Sequence, residues 1–310
     1  MFQTISTINS LIVVPCKKIK TLNTILTSGT GNTYISVAQD TSGNIYCTNA
    51  ISTQLVKINP LNNYSNSIIK FTTTAATVIA LFIDLNNNII VNSNGGYGTI
   101  ANFINKIDSN ATALNVFVGS SNQVCVMLDA SLNGYIYQGG KINKYYLTIF
   151  GGNNSFTAFA GNGSTLISAY ATNVLATATS LNQPNVYTQY AIYNNYFYLA
   201  DKSFHIIRRI NMSTNIITLV AGTAGTSGSA GDGGNATSCN LNLPCGIAFD
   251  SIGNLYISDG GNNKIRMINV NGIISTLVLV SNPNQLLVDI NNNLIICGNS
   301  GKNLYYYSLN

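Results

Sequence analysis

Along this chain, short apolar stretches alternate with polar positions and are closed by Gly, Asn, Asp or Ser, the pattern of half-buried strands joined by tight turns. The clearest unit runs Gly246-Ile247-Ala248-Phe249-Asp250-Ser251-Ile252-Gly253-Asn254-Leu255-Tyr256-Ile257-Ser258-Asp259 and continues through Lys264 to Ile268 and Ile273 to Val280. It predicts four strands, a to d. The hinge between a and b is an Asp followed four residues later by Asn and five later by an apolar residue. The same hinge recurs at Asp40, Asp84 and Asp289, more loosely at Asp129, and in degenerate form at Ile192, where Tyr198-Leu199-Ala200-Asp201 aligns with Tyr256-Ile257-Ser258-Asp259. A copy at Ser6 would place strand c at Lys18-Ile19-Lys20 and strand d at Thr24 to Thr27.

Seven hinges imply seven blades of an all-β propeller, because four antiparallel strands repeated about every 40 residues without a helical period are its signature. The chain ends near Tyr305-Tyr306-Tyr307, which aligns with strand c. The last blade therefore lacks its own strand d. The favoured reading makes residues 1–28 a small blade of their own. In the alternative, residues 24–27 complete the last blade of a six-bladed ring and residues 1–20 form an arm. Either way residues 1–310 are expected to be one propeller domain. Its a strands, including Ile35 to Ala38, Ile247 to Phe249 and Leu286 to Val288, would line the central channel. Two insertions, Asn162 to Asn182 and Thr223 to Leu243, lengthen the period between strand d of one unit and strand a of the next. They resemble each other, Ala176-Thr177-Ala178-Thr179-Ser180-Leu181 matching Ala236-Thr237-Ser238-Cys239-Asn240-Leu241.

Gly246 to Ile268, preceded by Thr218-Leu219-Val220-Ala221-Gly222 and Gly231-Asp232-Gly233-Gly234-Asn235-Ala236, resembles the NHL-repeat propellers, strongest over Thr218 to Ile268. The resemblance implies the fold more firmly than an activity. NHL propellers include protein-binding, RNA-binding and sensor modules as well as lyase and lactonase relatives, and function must be argued from the site.

Composition narrows the chemistry. Only 7% of the 310 residues are charged; there are 47 Asn, one His and nine acids, all of them Asp. Paired carboxylates with a glutamate, a histidine base or a three-histidine metal site are short of parts. The lactonase-like relatives use a Glu among their metal ligands and the amidating-lyase relatives several His. The six cysteines form no C-x-x-C pair and read as buried free thiols. No G-x-S-x-G, P-loop or Rossmann fingerprint is present. Lys17, Lys18 and Lys20, with Arg208 and Arg209, are the only basic clusters, thin coverage that argues against nucleic acid. No apolar run approaches a membrane span and no signal peptide is visible, so an intracellular or virion location is expected.

The hinge aspartates Asp40, Asp84, Asp129, Asp250 and Asp289 are expected to accept turn N–H groups. Calcium is the rival, since Asp84-x-Asn86-x-Asn88 mimics an EF-hand opening, but that loop needs a Gly and a bidentate Glu that are missing. Asp201 precedes Arg208 by seven residues and Asp259 precedes Arg266 by seven, which predicts two ion pairs across b-to-c hairpins. Function is expected on the side bearing the insertions and the b-to-c loops, such as Asn92 to Asn102, because loops carry binding. Tyr97, Tyr170, His205 and Asp232 are its candidate binding residues. His205, lacking a nucleophile partner, reads as a structural polar residue rather than a catalyst. The expected function is a non-enzymatic protein-binding or self-assembly module without a cofactor, an Asn-rich surface also suiting a virus particle. The alternative is a lyase or lactonase-like enzyme with calcium held weakly by Asp201 or Asp259 at the channel mouth.

Overall fold

A tight strand reversal leaves backbone N–H groups without a strand partner, and a carboxylate a few residues back is a ready acceptor for them. The computed structural model of the chain describes residues 22–27, 34–49, 54–62, 65–70, 77–83, 89–94, 102–107, 113–119, 124–129, 133–146, 156–164, 170–181, 189–298 and 302–309. In it Asp250 Oδ1 accepts from the N–H groups of Ile252, Gly253 and Asn254 at 3.2, 2.9 and 2.8 Å, while Oδ2 takes the Asn254 amide and the Tyr256 hydroxyl. Asp40 holds Ser42, Asn44 and Tyr46 in the same way; Asp129 holds Asn133 and Tyr135, and Asp289 holds Asn291 and Asn293. Gly43 and Gly253 sit three residues after their Asp at φ +85° and +99°, a region that favours glycine, and Asn292 takes that place at +56°. Asp84 lies outside the described residues.

Each described repeat folds into one antiparallel sheet with strands in the order a-b-c-d. The first sheet is Tyr34–Gln39, Ile45–Asn49, Gln54–Asn59 and Ser65–Lys70; the second is Thr77–Ile83, Ile89–Asn94, Asn102–Ile107 and Ala113–Gly119. The third is Val124–Leu128, Asn133–Gln138, Lys141–Tyr146 and Phe156–Ala160. The fourth is Tyr190–Tyr193, Tyr196–Asp201, Ile206–Asn211 and Ile216–Ala221, with the short Val174–Leu175 added beyond strand d. The fifth is Pro244–Phe249, Leu255–Asp259, Lys264–Ile268 and Ile274–Leu279. Three strands of the sixth, Leu286–Val288, Asn293–Gly298 and Asn303–Ser308, come from the end of the chain. Its fourth is Leu22–Thr27, paired antiparallel with Asn303–Ser308 from Leu22 opposite Tyr307 to Thr27 opposite Asn303.

That pairing corrects the favoured seven-blade reading: residues 24–27 complete the last sheet instead of founding a blade of their own. The physical reason is the outer edge of Asn303–Ser308, whose outward N–H and C=O groups are taken up by Leu22–Thr27. The described residues hold six sheets, as in the six-bladed alternative, and residues 1–21 lie outside them. The described helices are single 3₁₀ turns, Pro60–Asn62, Ala176–Ala178, Lys202–Phe204, Ala236–Ser238 and Gly260–Asn262.

The core lies between sheets. Tyr135, Tyr137 and Ile142 of the third pack on Phe197, Leu199 and Ile210 of the fourth. Ala200 and Ile207 of the fourth meet Ile247 and Ile257 of the fifth. Tyr256 and Ile265 of the fifth meet Leu294 and Ile296 of the sixth. The sixth returns to the first, where Ile295, Cys297 and Leu304 are buried with Val37, Ile45 and Cys47. The a strands lie beside one another from sheet to sheet. Side chains bridge them: Gln189 Oε1 accepts from the N–H groups of Ile247 and Leu286 at 3.2 and 2.9 Å, Gln285 Oε1 from that of Val37 at 3.2 Å, and Ser36 Oγ from that of Leu81 at 3.0 Å. Gly246 has no room for a side chain, because a Cβ there would collide with the Asn284 carbonyl. Cys47, Cys239, Cys245 and Cys297 are buried free thiols, each held above its ordinary pKa by burial.

Deleting residues 1–28 strips the fourth strand from the last sheet. The shortened chain is expected to unfold at a clearly lower urea concentration than the full chain and to self-associate through the exposed Asn303–Ser308 edge; equal midpoints by circular dichroism would contradict the pairing.

Candidate functional site

The fourth and fifth sheets each bury an arginine in strand c, a position where a guanidinium needs both a counter-charge and acceptors for its N–H groups. Each arginine follows a register shift between strands c and d, between Ile207 and Arg208 and between Ile265 and Arg266. Such a bulge re-aims the side chain that follows it. In the second and third sheets the same shift precedes Asn105 and Asn143.

Arg208 is fully buried and pairs with Asp201, itself 1% exposed at its side chain. The guanidinium also turns to the first insertion, Nη2 donating to the Ser180 carbonyl at 2.8 Å and Nη1 to Thr179 Oγ1 at 3.4 Å, while Nε has no hydrogen-bond partner among the described residues. Arg266 repeats this one sheet on. It reaches Asp259 Oδ2 at 3.5 Å and the Asn240 carbonyl at 3.3 Å, and Asp232 Oδ1 of the second insertion at 2.7 Å. Ser180 and Asn240 are the equivalent residues of the two insertions. The surrounding framework is duplicated as well. The Gly161 N–H donates to the Ala176 carbonyl and the Gly222 N–H to the Ala236 carbonyl; the Ala176 and Ala236 N–H groups donate to the Asn215 and Gly272 carbonyls. Leu181 and Leu241 anchor both loops in the core. Each insertion thus runs along the outer strand of its own sheet and is clamped there by that sheet's arginine.

The sequence candidates distribute over this side. Tyr170 stands over Arg208, its ring centroid 5.3 Å from the guanidinium carbon and 6.0 Å from the Phe204 ring. Asp232, 45% exposed at its side chain, occupies the corresponding space beside Arg266. His205 closes the b-to-c turn of the fourth sheet at φ +59°, as Asn263 does in the fifth at +55°. Its Nδ1 accepts from the Leu243 N–H at 3.2 Å, joining that turn to the end of the second insertion. The structure therefore brings Tyr170 to Arg208, Asp232 to Arg266 and His205 to Leu243, as three separate contacts. Tyr97 lies outside the described residues. The side itself is set by contact: the insertion touches b-to-c turns through Gly225 N–H to the Phe204 carbonyl, Asn262 Nδ2 to the Gly228 carbonyl and Lys264 Nζ to Ser229 Oγ.

The electrostatics follow burial. Desolvation pushes the Asp259 carboxyl above its ordinary value, against the pull of Asn262, Asn242 and Arg266. Desolvation acts upward on Asp232 too, but Thr276 and the Arg266 charge outweigh it and hold that carboxyl low. Burial lowers the His205 pKa, and Asp259 opposes the shift. Asp259 gives Oδ1 to the Asn242 N–H at 2.7 Å and Oδ2 to Asn262 and Arg266. A cation on Asp201 or Asp259 would have to displace a guanidinium. Among the described residues no three His, Cys, Asp or Glu side chains gather in metal-binding range, and no helix is long and apolar enough to cross a membrane.

Gln189, Gln285 and the tie of each arginine to its insertion carbonyl escaped the sequence reading. The alignment of the insertions held a signal for the latter, since it places Ser180 and Asn240 at one position; single glutamines ahead of strand a held none.

Residues 168–286 match the teneurin NHL domain. No curated protein matches the chain. Among solved structures, an auxiliary nutrient binding protein from Bacteroides thetaiotaomicron superposes with a TM-score of 0.68 at 12% identity, over 93% of this chain and 76% of that one. A virginiamycin B lyase from Staphylococcus aureus gives 0.59 at 13%, over 94% and 100%. A gluconolactonase from Xanthomonas campestris gives 0.59 at 13%, over 94% and 90%. At these identities the likeness is one of fold, and the fold is that of an NHL-like β-propeller.

Replacing Arg208 by Met leaves Asp201 buried without its partner and is expected to cost about 3 kcal/mol or more of stability in urea unfolding. The double variant Arg208→Met with Asp201→Leu should recover part of that; a neutral single variant would contradict the clamp. His205 has a folded-state pKa below its unfolded one, so the unfolded chain takes up the proton first. Stability is therefore full above the unfolded value and falls as pH drops from there towards the folded value. His205→Asn is expected to flatten that part of the stability-against-pH curve while keeping the left-handed turn; an unchanged slope would show that His205 does not carry it.

Proposed function

We propose that the chain is a non-enzymatic binding module that presents the insertion-bearing side of its NHL-like propeller to another protein. The observation that carries this reading is the duplicated clamp, in which two consecutive sheets spend a fully buried arginine on holding an insertion in place. A loop already held in one conformation loses less entropy when a partner lands on it, which is how pre-organisation raises affinity. The outward residues of the second insertion, from Thr226 to Asn235, are mostly exposed, small and polar. Such residues suit a hydrogen-bonding contact surface rather than a reaction centre.

The name of the similar nutrient binding protein agrees with use of this scaffold for binding, and the names of the lyase and the gluconolactonase keep an enzyme as the alternative. That alternative asks Asp201 or Asp259 to leave its arginine, or His205 to leave the Leu243 N–H, and no contact described above favours it. Self-assembly as a particle component rests on composition alone.

The test is a comparison of sides. Thr226→Tyr with Thr237→Tyr places bulk on exposed positions of the insertion, and Ser251→Tyr with Ser42→Tyr places it on exposed a-to-b turns of the opposite side. Partner capture from native extract, quantified by mass spectrometry, is expected to fall about tenfold, about 1.4 kcal/mol, for the first pair only. Equal capture by both pairs, or loss only with the second, would overturn the reading.

A further inference from the structure

The b-to-c connections of the third to sixth sheets each place one lysine at the same corner. Lys141 opens strand c of the third sheet, Lys202 begins the turn Lys202–Phe204 of the fourth, Lys264 opens strand c of the fifth, and Lys302 immediately precedes Asn303–Ser308 of the sixth. Lys141 and Lys302 are exposed, Lys202 and Lys264 partly so. The corresponding stretches of the first two repeats, residues 50–53 and 95–101, contain no lysine. The lysines thus follow an arc of four consecutive sheets, and both clamped insertions, those of the fourth and fifth, lie within that arc. Lys264 Nζ donates to Ser229 Oγ at 2.6 Å, so arc and insertion are one surface.

The carboxylates on this side do not offset the arc. Asp201, Asp259 and Asp232 are each paired with Arg208 or Arg266, leaving the lysine charges as the surplus. The opposite side is different. It carries the hinge aspartates Asp40, Asp129, Asp250 and Asp289, with Lys144 3.7 Å from Asp129 and Lys57 over the ring of Tyr46, whose hydroxyl bonds Asp40. In a protein with only 7% charged residues, this segregation makes the charged lysine corners the most distinctive feature of the face. Charge of one sign on a contact face steers partners of the opposite sign and rejects like ones.

We propose that the partner is an acidic polypeptide segment that docks along the lysine arc between the insertions. This rests on the binding-module reading and gives its partner a chemistry. An acidic chain is favoured over nucleic acid because single-stranded nucleic acid needs free aromatic faces to stack its bases. Two rings on this side, Tyr170 and Phe204, each already have the Arg208 guanidinium over them, at 5.3 and 5.5 Å.

The experiment uses the full chain and two fluorescein-labelled probes, a twelve-residue Asp/Glu peptide and a twelve-nucleotide oligouridine, with anisotropy read at low and at physiological salt. The peptide is expected to bind and to weaken as salt rises. The combined variant Lys141→Gln, Lys202→Gln, Lys264→Gln and Lys302→Gln is expected to weaken it about tenfold or more with an unchanged thermal melt, and Lys57→Gln to leave it unchanged. Oligouridine binding more tightly than the peptide, or peptide affinity indifferent to the four lysines, would overturn the proposal. If the four-lysine variant captures the native partner as well as the wild type while the insertion variants lose it, the binding side stands and the acidic partner falls. If the insertion variants also capture normally, the binding-side reading itself fails.

Discussion

A guanidinium placed in a protein interior cannot shed its charge, so the chain around it must supply both a carboxylate and enough carbonyl or hydroxyl oxygens. In this protein that requirement falls on Arg208 and Arg266, which have no exposed surface. Asp201 and Asp259 supply the charge from the neighbouring strand, but a strand carboxylate alone leaves guanidinium donors over. The insertions meet part of that need with the Ser180 and Asn240 carbonyls, the Nε groups staying without a hydrogen-bond partner among the described residues. The dependence is mutual. Without the arginine the insertion keeps its backbone ties and its buried leucine but loses its charged anchor, and without the insertion the arginine is under-bonded.

From this constraint the two sides of the propeller acquire different characters. The side of the a-to-b hinges carries short turns, four of them tied by their own Asp to their own backbone. The other side carries long segments that cross between sheets: the second insertion leaves the fourth sheet, touches its Phe204 and His205, and is clamped by the fifth. Inter-sheet apolar packing and the Gln189, Gln285 and Ser36 bridges hold the sheets in register, so a surface spanning two of them keeps its shape.

The hinge Asp, the alternation of apolar positions and the seven-residue spacing of Asp and Arg are local, and local chemistry is written plainly in sequence. Asp250 and Tyr256 announce the turn they make. The number of sheets is a different kind of fact, because it depends on which edge Leu22–Thr27 joins. A strand that reads LNTILT closes a small first blade or completes the last one equally well by pattern. Only the pairing with Asn303–Ser308 decides, and that strand lies far away in sequence. The clamp was half legible, since the ion pairs follow from hairpin spacing while the insertion carbonyls 28 and 26 residues upstream do not. Backbone acceptors leave no mark in a sequence. His205 carries no motif for the same reason, since its partner is the Leu243 N–H, which any residue but proline provides.

The central claim is that the buried arginines add an anchor to each insertion beyond its own backbone and apolar ties. Amide hydrogen exchange read by mass spectrometry on the wild type and on Arg266→Met addresses it directly. Peptides covering residues 223–243 are expected to exchange much faster in the variant while the strands of the first three sheets keep their protection. Unchanged exchange across 223–243, or a rise spread evenly over every sheet, would contradict the account.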